Sequence, residues 1–121
     1  MLQRYEIVLV AFPFTDGPAA KPRPALVITT SERYGDVLLA FISSNVSGPP
    51  DGDELDLSTE HPDFASTGLK VTSRLRLSRM TTLAARLVKR RIGVLPHAWQ
   101  VECQEVLQRV IGGLDSGCGS L

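Results

Sequence analysis

From Tyr5 to Phe12 the chain reads Y-E-I-V-L-V-A-F, a β-branched and aromatic run halted by Pro13, and this predicts a mostly buried first strand. Ala25 to Thr30 (A-L-V-I-T-T) and Asp36 to Ser43 (D-V-L-L-A-F-I-S) predict a second and a third strand with a turn at Ser31 to Gly35 between them, and these two form the centre of the sheet. Glu54 to Leu57 alternates acid and leucine, the pattern of a short edge strand whose charges discourage pairing with other chains. The stretch His61 to Gly68 predicts irregular backbone. In Arg74 to Leu77 the alternation of Arg and Leu predicts a strand that buries both leucines on one face and projects both guanidinium groups from the other as a basic stripe. Met80 to Leu87 fits either strand continuation or a helical turn. Lys89 to Leu95 predicts the last strand, with Gly93 marking a bulge or a close approach.

After Pro96, a residue suited to the first helical position, Trp99, Cys103, Val106, Leu107, Val110 and Ile111 recur at steps of three and four, opposite Gln100, Gln104, Glu105 and Gln108. That is an amphipathic helix packed on the sheet, supported by a Glu105 and Arg109 pair four residues apart and expected to stop at Gly112 and Gly113. Thr15 to Pro22 and Ser47 to Gly52 have loop composition. Many short strands followed by one helix predict the α+β class, with a strongly bent sheet or small barrel. The expected organisation is a single domain over residues 1–114 and a flexible tail over 115–121.

Length and composition narrow the function. A chain of 121 residues holds one core without staples, which excludes a multidomain enzyme. With 43% hydrophobic and 21% charged residues the composition is globular, and no apolar run approaches the roughly 20 residues of a membrane span. No basic segment leads into a long apolar stretch near Met1, so a cytoplasmic protein without membrane association is expected. Cys103 and Cys118 are too few for a disulfide framework or a four-ligand zinc site, and both are read as reduced, Cys103 in the core and Cys118 in the tail.

Charge changes the picture more. The 13 basic and 13 acidic residues cancel, yet Asp51 to Asp63 carries six acids and no base, and Lys70 to Arg91 carries eight bases and no acid. Such segregation supplies a local positive field able to steer a polyanion, unless the two segments neutralise each other in the fold. Phosphate-cradling, dinucleotide, zinc-protease and nucleophile-elbow motifs are all absent. His61 and His97 read as surface residues. Arg23 stands between Pro22 and Pro24 at the margin of an apolar strand, so its fork is mounted on stiff backbone and suits phosphate. Ser43, Ser44 and Asn45 bring hydroxyls and an amide to the place where the third strand leaves the core. A plain strand cap and turn would use the same residues.

E-I-V-L-V-A-F-P-F-T-D, K-P-R-P-A-L-V-I, D-V-L-L-A-F-I-S-S-N, G-L-K from Gly68, L-R-L-S-R-M-T-T-L and L-V-K-R-R-I-G-V-L together resemble the MazF/PemK family of type II toxins, in that family's order and from Tyr5 to about Leu114. The resemblance implies a small SH3-like β-barrel of mostly antiparallel strands with a C-terminal α-helix, a homodimer, and metal-independent endoribonuclease cleavage of single-stranded RNA without a cofactor. It implies a cognate antitoxin with an acidic tail as partner, and operator DNA bound through the antitoxin complex. Arg23 falls on the family's catalytic arginine, and Ser43 stands where the family usually has a catalytic Thr. Phe14, Thr15, Lys21, Ser44, Asn45 and Arg76 are the RNA-binding candidates, with Phe14 as a stacking surface and Arg76 as part of a cationic track. No residue is assigned as general base. Tyr5-Glu6-Ile7 departs from the family's more frequent Gly-Asp-Ile, and Ser78 stands where an acid commonly partners the nearby arginines. A catalytically inactive binding module on the same scaffold is the alternative reading.

Overall fold

The structure is a computed structural model and describes residues 2–12 and 21–118, with side chains described through Ile111. Six strands and one helix follow in order: β1 (Glu6–Val10), β2 (Arg23–Ser31), β3 (Asp36–Ser43), β4 (Glu54–Leu57), β5 (Ser73–Ala84), β6 (Val88–Val94) and α1 (His97–Cys118). The pairing is antiparallel throughout, in the spatial order β4-β5-β3-β2-β1-β6. β2 and β3 lie at the centre, as their apolar runs require. The class is the α+β one expected. β4 and β6 remain edges, so "barrel" describes the curl of the sheet and not a closed ring of hydrogen bonds.

Both faces of the central strands are buried, which explains why these strands read as continuous apolar runs and not as alternations. Ile7, Leu26, Ala40, Ile42, Leu75 and Leu77 form one core with Trp99, Cys103 and Val106 of α1. Val8, Val10, Ala25, Val27, Val37 and Leu39 form a second core, closed by Leu83, Leu87 and Val88. The sheet bends between them at β5. Ala40 pairs with Met80 but Phe41 pairs with Arg76, so three residues of β5 bulge out and redirect the strand. The ambiguous stretch from Met80 to Leu87 resolves into both readings: β5 to Ala84, then one 3₁₀ turn over Ala85–Leu87.

Two glycines fix the region before β5. Gly68 follows a 3₁₀ turn (Phe64–Thr67) at φ +72, and a Cβ on it would lie 2.0 Å from the Ile92 carbonyl oxygen. A Cβ on Gly93 would lie 2.3 Å from the Thr67 carbonyl. The register of β1 with β6 slips at this place, so Gly93 marks both a bulge and a close approach. At the start of β1, Tyr5 holds φ +74, a left-handed conformation unusual for a bulky side chain. Hydrogen bonds from its N–H to Val27 O and from Leu95 N–H to its carbonyl, both 2.8 Å, hold it there. A glycine at this position would adopt the conformation without strain.

Three expectations need correction. α1 does not stop at Gly112 and Gly113 but runs to Cys118, each glycine costing only about 1 kcal/mol in a helix interior. Arg109 donates to Gly52 O (3.2 Å), and among the described residues no ion pair joins it to Glu105. The stripe of Arg74 and Arg76 is not an open basic surface, because the acids of β4 lie directly across from it. Cys103 sits in the core as expected, with no exposed surface, and burial pushes its thiol up to about 11.

Candidate functional site

A cleft of about 530 Å³ opens where β2 begins and β3 ends. Continuing the Ala25 to Phe41 register by two residues sets Arg23 across from Ser43, and both line the cleft. Ser44, Arg76, Lys70 and Arg90 line it too, and among the described residues no Asp or Glu does. A second cavity of about 390 Å³, where β2 turns into β3, is lined by Glu32 and Asp36 and by no Lys or Arg. Of these two cavities, the first suits an anion.

Ser43 Oγ accepts the Asn45 N–H (3.1 Å), so its oxygen is held while its own hydroxyl hydrogen remains to be donated. Asn45 Oδ1 in turn accepts from Ser47 N–H (3.3 Å) and Ser47 Oγ (2.9 Å), which ties the turn together. Asn45 is not among the cleft-lining residues, and neither is the exposed Lys21. Phe14 and Thr15 lie outside the described residues. An aromatic floor is supplied instead by Phe12 and Phe41, their ring centroids 4.9 Å apart, with the Arg79 guanidinium 5.6 Å from the Phe41 centroid.

The arginines divide into two kinds. Arg74, 6% exposed, donates to both carboxylate oxygens of Asp56 (2.6 and 3.1 Å) and to the carbonyls of Ser47 (3.1 Å) and Gly48 (2.6 Å). Its hydrogen bond to Asp56 pushes its pKa up, over the opposing effect of burial. Arg76 Nε is buried 3.3 Å from Glu54 Oε2 in an ion pair whose angle is not that of a hydrogen bond. The partners of the two arginines are thus Glu54 and Asp56 of β4. Arg91 pairs with Glu6 (2.9 Å). Burial raises the pKa of Glu6, but hydrogen bonds from Arg91 and from Gln3 N–H, with the Arg91 charge, outweigh it and leave the carboxyl below its ordinary range. Among the described residues, no carboxylate forms an ion pair with Arg23, Lys70 or Arg90.

Lys70 and Arg90 are not singled out by the sequence as site residues. The signal was the G-L-K and K-R-R segments, but which basic residue faces the cleft depends on strand register. Neither histidine reaches the cleft lining. His61 is not simply solvated: its ring packs on Trp99 at 4.3 Å, and its Nδ1 accepts the Asp63 N–H (3.1 Å). His97 is exposed, as expected. The carboxylates of Asp51, Asp53 and Glu54 come within 4.8 Å of one another, but Glu54 is engaged by Arg76 and by the Asp51 N–H (2.9 Å).

The profile of a family described as PemK-like, MazF-like toxin of type II toxin-antitoxin system matches residues 3–111. A comparison with curated proteins found no match. Among solved structures, an endoribonuclease in complex with its cognate antitoxin from a mycobacterial species is similar with TM-score 0.67 and 12% identity, over 93% of this chain and 96% of that one. The Mycobacterium tuberculosis toxin MazF-mt6 is similar with TM-score 0.65 and 21% identity, over 88% and 96%. MazF from Deinococcus radiodurans follows with TM-score 0.63 and 17% identity, over 92% and 96%. At these identities the structural likeness shows the fold.

Proposed function

The chain belongs to the PemK-like, MazF-like toxin family of type II toxin-antitoxin systems, and from that premise we propose that it is an endoribonuclease that cuts single-stranded RNA in the cleft of Arg23 and Ser43. The observation that carries this reading is the lining itself: four cations, hydroxyl groups and, among the described residues, no carboxylate around one concave surface. Such a lining favours a phosphodiester. The ribose 2′-oxygen attacks the adjacent phosphorus, the P–O2′ bond forms and the P–O5′ bond breaks. The products are a 2′,3′-cyclic phosphate and a 5′-hydroxyl, the 2′-proton being lost and O5′ gaining one. Negative charge grows on the non-bridging oxygens, where the Arg23 fork donates and the Ser43 hydroxyl adds a second hydrogen bond.

The reaction needs no metal, and no metal-binding residue is assigned to the cleft. Ser44 and Arg76 are assigned to RNA contact along the cleft wall. Carboxylates of a cognate antitoxin would compete for the same cations, which accounts for inhibition, and operator DNA would be reached through that complex. Action as a cytoplasmic homodimer belongs to the same reading. The test is incubation of the purified protein with a long single-stranded RNA in EDTA, with end analysis of the fragments. Cyclic phosphate and 5′-hydroxyl ends support the proposal. Intact RNA despite binding would identify the chain as a binding module and overturn it.

A further inference from the structure

Resting on the nuclease reading, we propose that Arg79 is a specificity-determining residue that reads a guanine base beside the phosphate being cut. β5 pairs Met80 with Ala40 and Arg76 with Phe41, so Leu77, Ser78 and Arg79 make up the bulge. Leu77 is buried, while Arg79 is exposed and stands over the Phe41 ring, its guanidinium carbon 5.6 Å from the centroid. Arg79 is outside the cleft lining, but the ring beneath it is part of that lining. An aromatic face attracts a guanidinium through its charge and leaves the N–H donors for another partner. Among the described residues no carboxylate forms an ion pair with Arg79.

The strand face that carries Ser43 also carries this stack. Phe41 and Ser43 are two residues apart on β3, hence on one face and about 7 Å apart along the strand, and Ala25 pairs with Phe41 two residues after Arg23. A phosphodiester held by Arg23 and Ser43 therefore brings an adjoining base to Phe41 and Arg79. Contacts to phosphate carry no sequence information, whereas a guanidinium fork aimed at a base edge does. Two parallel donors select two adjacent acceptors. Guanine presents O6 and N7, whereas adenine sets an amino donor beside N7 and uracil has an N–H between its two carbonyls. Cytosine places O2 beside N3, but O2 adjoins the glycosidic bond, and a single ring covers less of the floor of Phe12 and Phe41 than a purine does. The base read is guanine, on its O6 and N7 edge.

The experiment maps the cuts made by the wild-type protein in a long single-stranded RNA of mixed sequence, where guanine should be enriched at one fixed position next to the cut. A 10-mer across one such cut is then prepared with guanine, inosine, 7-deazaguanine, adenine or cytosine at that position. Inosine keeps O6 and N7, and 7-deazaguanine lacks N7 alone. Wild type should cleave the guanine and inosine strands with similar kcat/KM, the 7-deazaguanine strand roughly tenfold less well, and the adenine and cytosine strands roughly tenfold to hundredfold less well. Arg79→Met, which covers Phe41 without donors, should cleave the guanine and adenine strands alike. Arg79→Gln, whose amide offers the donor and acceptor that adenine's edge requires, should cleave the adenine strand at least as well as the guanine strand. An arginine that only shields the ring would leave the order of the bases unchanged in both variants. If wild type cuts RNA without guanine enrichment, prefers cytosine, discriminates against inosine or accepts 7-deazaguanine fully, the guanine site is overturned and the nuclease reading stands. The same follows if either variant keeps the guanine preference. If wild type cuts no RNA, both fall. The base analogues are read on the wild-type protein, so a variant that fails to fold leaves the decision to them.

Discussion

Arg74 and Arg23 are the same residue type at the margins of neighbouring parts of one sheet, and they have opposite tasks. Arg74 is buried, donates to one carboxylate and two carbonyls, and joins β4 and the Ser47 to Gly48 turn to β5. Arg23 is exposed at the mouth of the cleft, with no carboxylate partner among the described residues. The contrast recurs within two residues of β6, where Arg91 is paired with Glu6 and Arg90 faces the cleft. An arginine whose donors are satisfied inside the protein supports the fold, and one whose donors are left over is available to a ligand.

Exchanging the readouts would break this contrast. Arg23→Ala should lower kcat for RNA cleavage by about 10²- to 10³-fold, the cost of removing one preplaced donor, and leave the melting temperature within about 2 °C. Arg74→Ala should do the reverse. Removing it leaves Asp56 and two turn carbonyls without their donor, so the melting temperature should fall by roughly 10 °C while activity at low temperature stays within a few fold. Thermal melts and initial rates on the same preparations decide both. An inactive but stable Arg74 variant, or an unstable Arg23 variant, would end the comparison.

Much of this arrangement was legible in the chain. β3 and β4 have the predicted bounds, because each is a short apolar or alternating run between turn residues. The two-sided core was visible as unbroken apolar runs, and Gly93 as a position where a side chain would not fit. What was not legible is which charges meet. Alternation places Arg74 and Arg76 on one face, but only the register of β4 against β5, Glu54 to Arg76 and Asp56 to Arg74, shows them neutralised. The segregated acids and bases therefore do part of what the neutralising alternative held, while Arg23, Lys70 and Arg90 stay outside it. Tyr5 teaches the same lesson about backbone: no composition rule announces a left-handed tyrosine, although the family's frequent glycine at that place is what its φ of +74 calls for.

A smaller effect sharpens the difference between Arg91 and Arg90. The Glu6 carboxyl, held below its ordinary value of 4.5 chiefly by Arg91 and Gln3 against the opposing effect of burial, is a group whose folded pKa is depressed. Its stabilisation is present above about pH 4.5, the unfolded value, and is lost as pH falls through the lower folded value. Glu6→Gln should flatten the acid limb of the melting-temperature profile by a few degrees and leave Arg90 and RNA binding untouched. An unchanged acid limb would show that the pair with the exposed Arg91 is screened and adds little.

The smallest effect belongs to Ser43, where both tasks meet in one hydroxyl. Its oxygen is engaged by the Asn45 N–H, which supports the turn, and its hydrogen is left over, on the proposed function for the phosphate. A serine side chain has three staggered wells, and only the one that keeps the Asn45 contact aims the hydrogen consistently. Ser43→Thr restricts that rotation through the added methyl. If the three wells are equally populated at present, confining the side chain to one raises kcat by at most about threefold, with KM unchanged. If the Asn45 hydrogen bond already selects the well, kcat will not move, and the turn rather than the branching at Cβ sets the aim. A single-turnover rate comparison of the two proteins separates these outcomes. A fall in rate would show instead that the methyl meets the apolar floor beside Phe41, and that the cleft is shaped around serine.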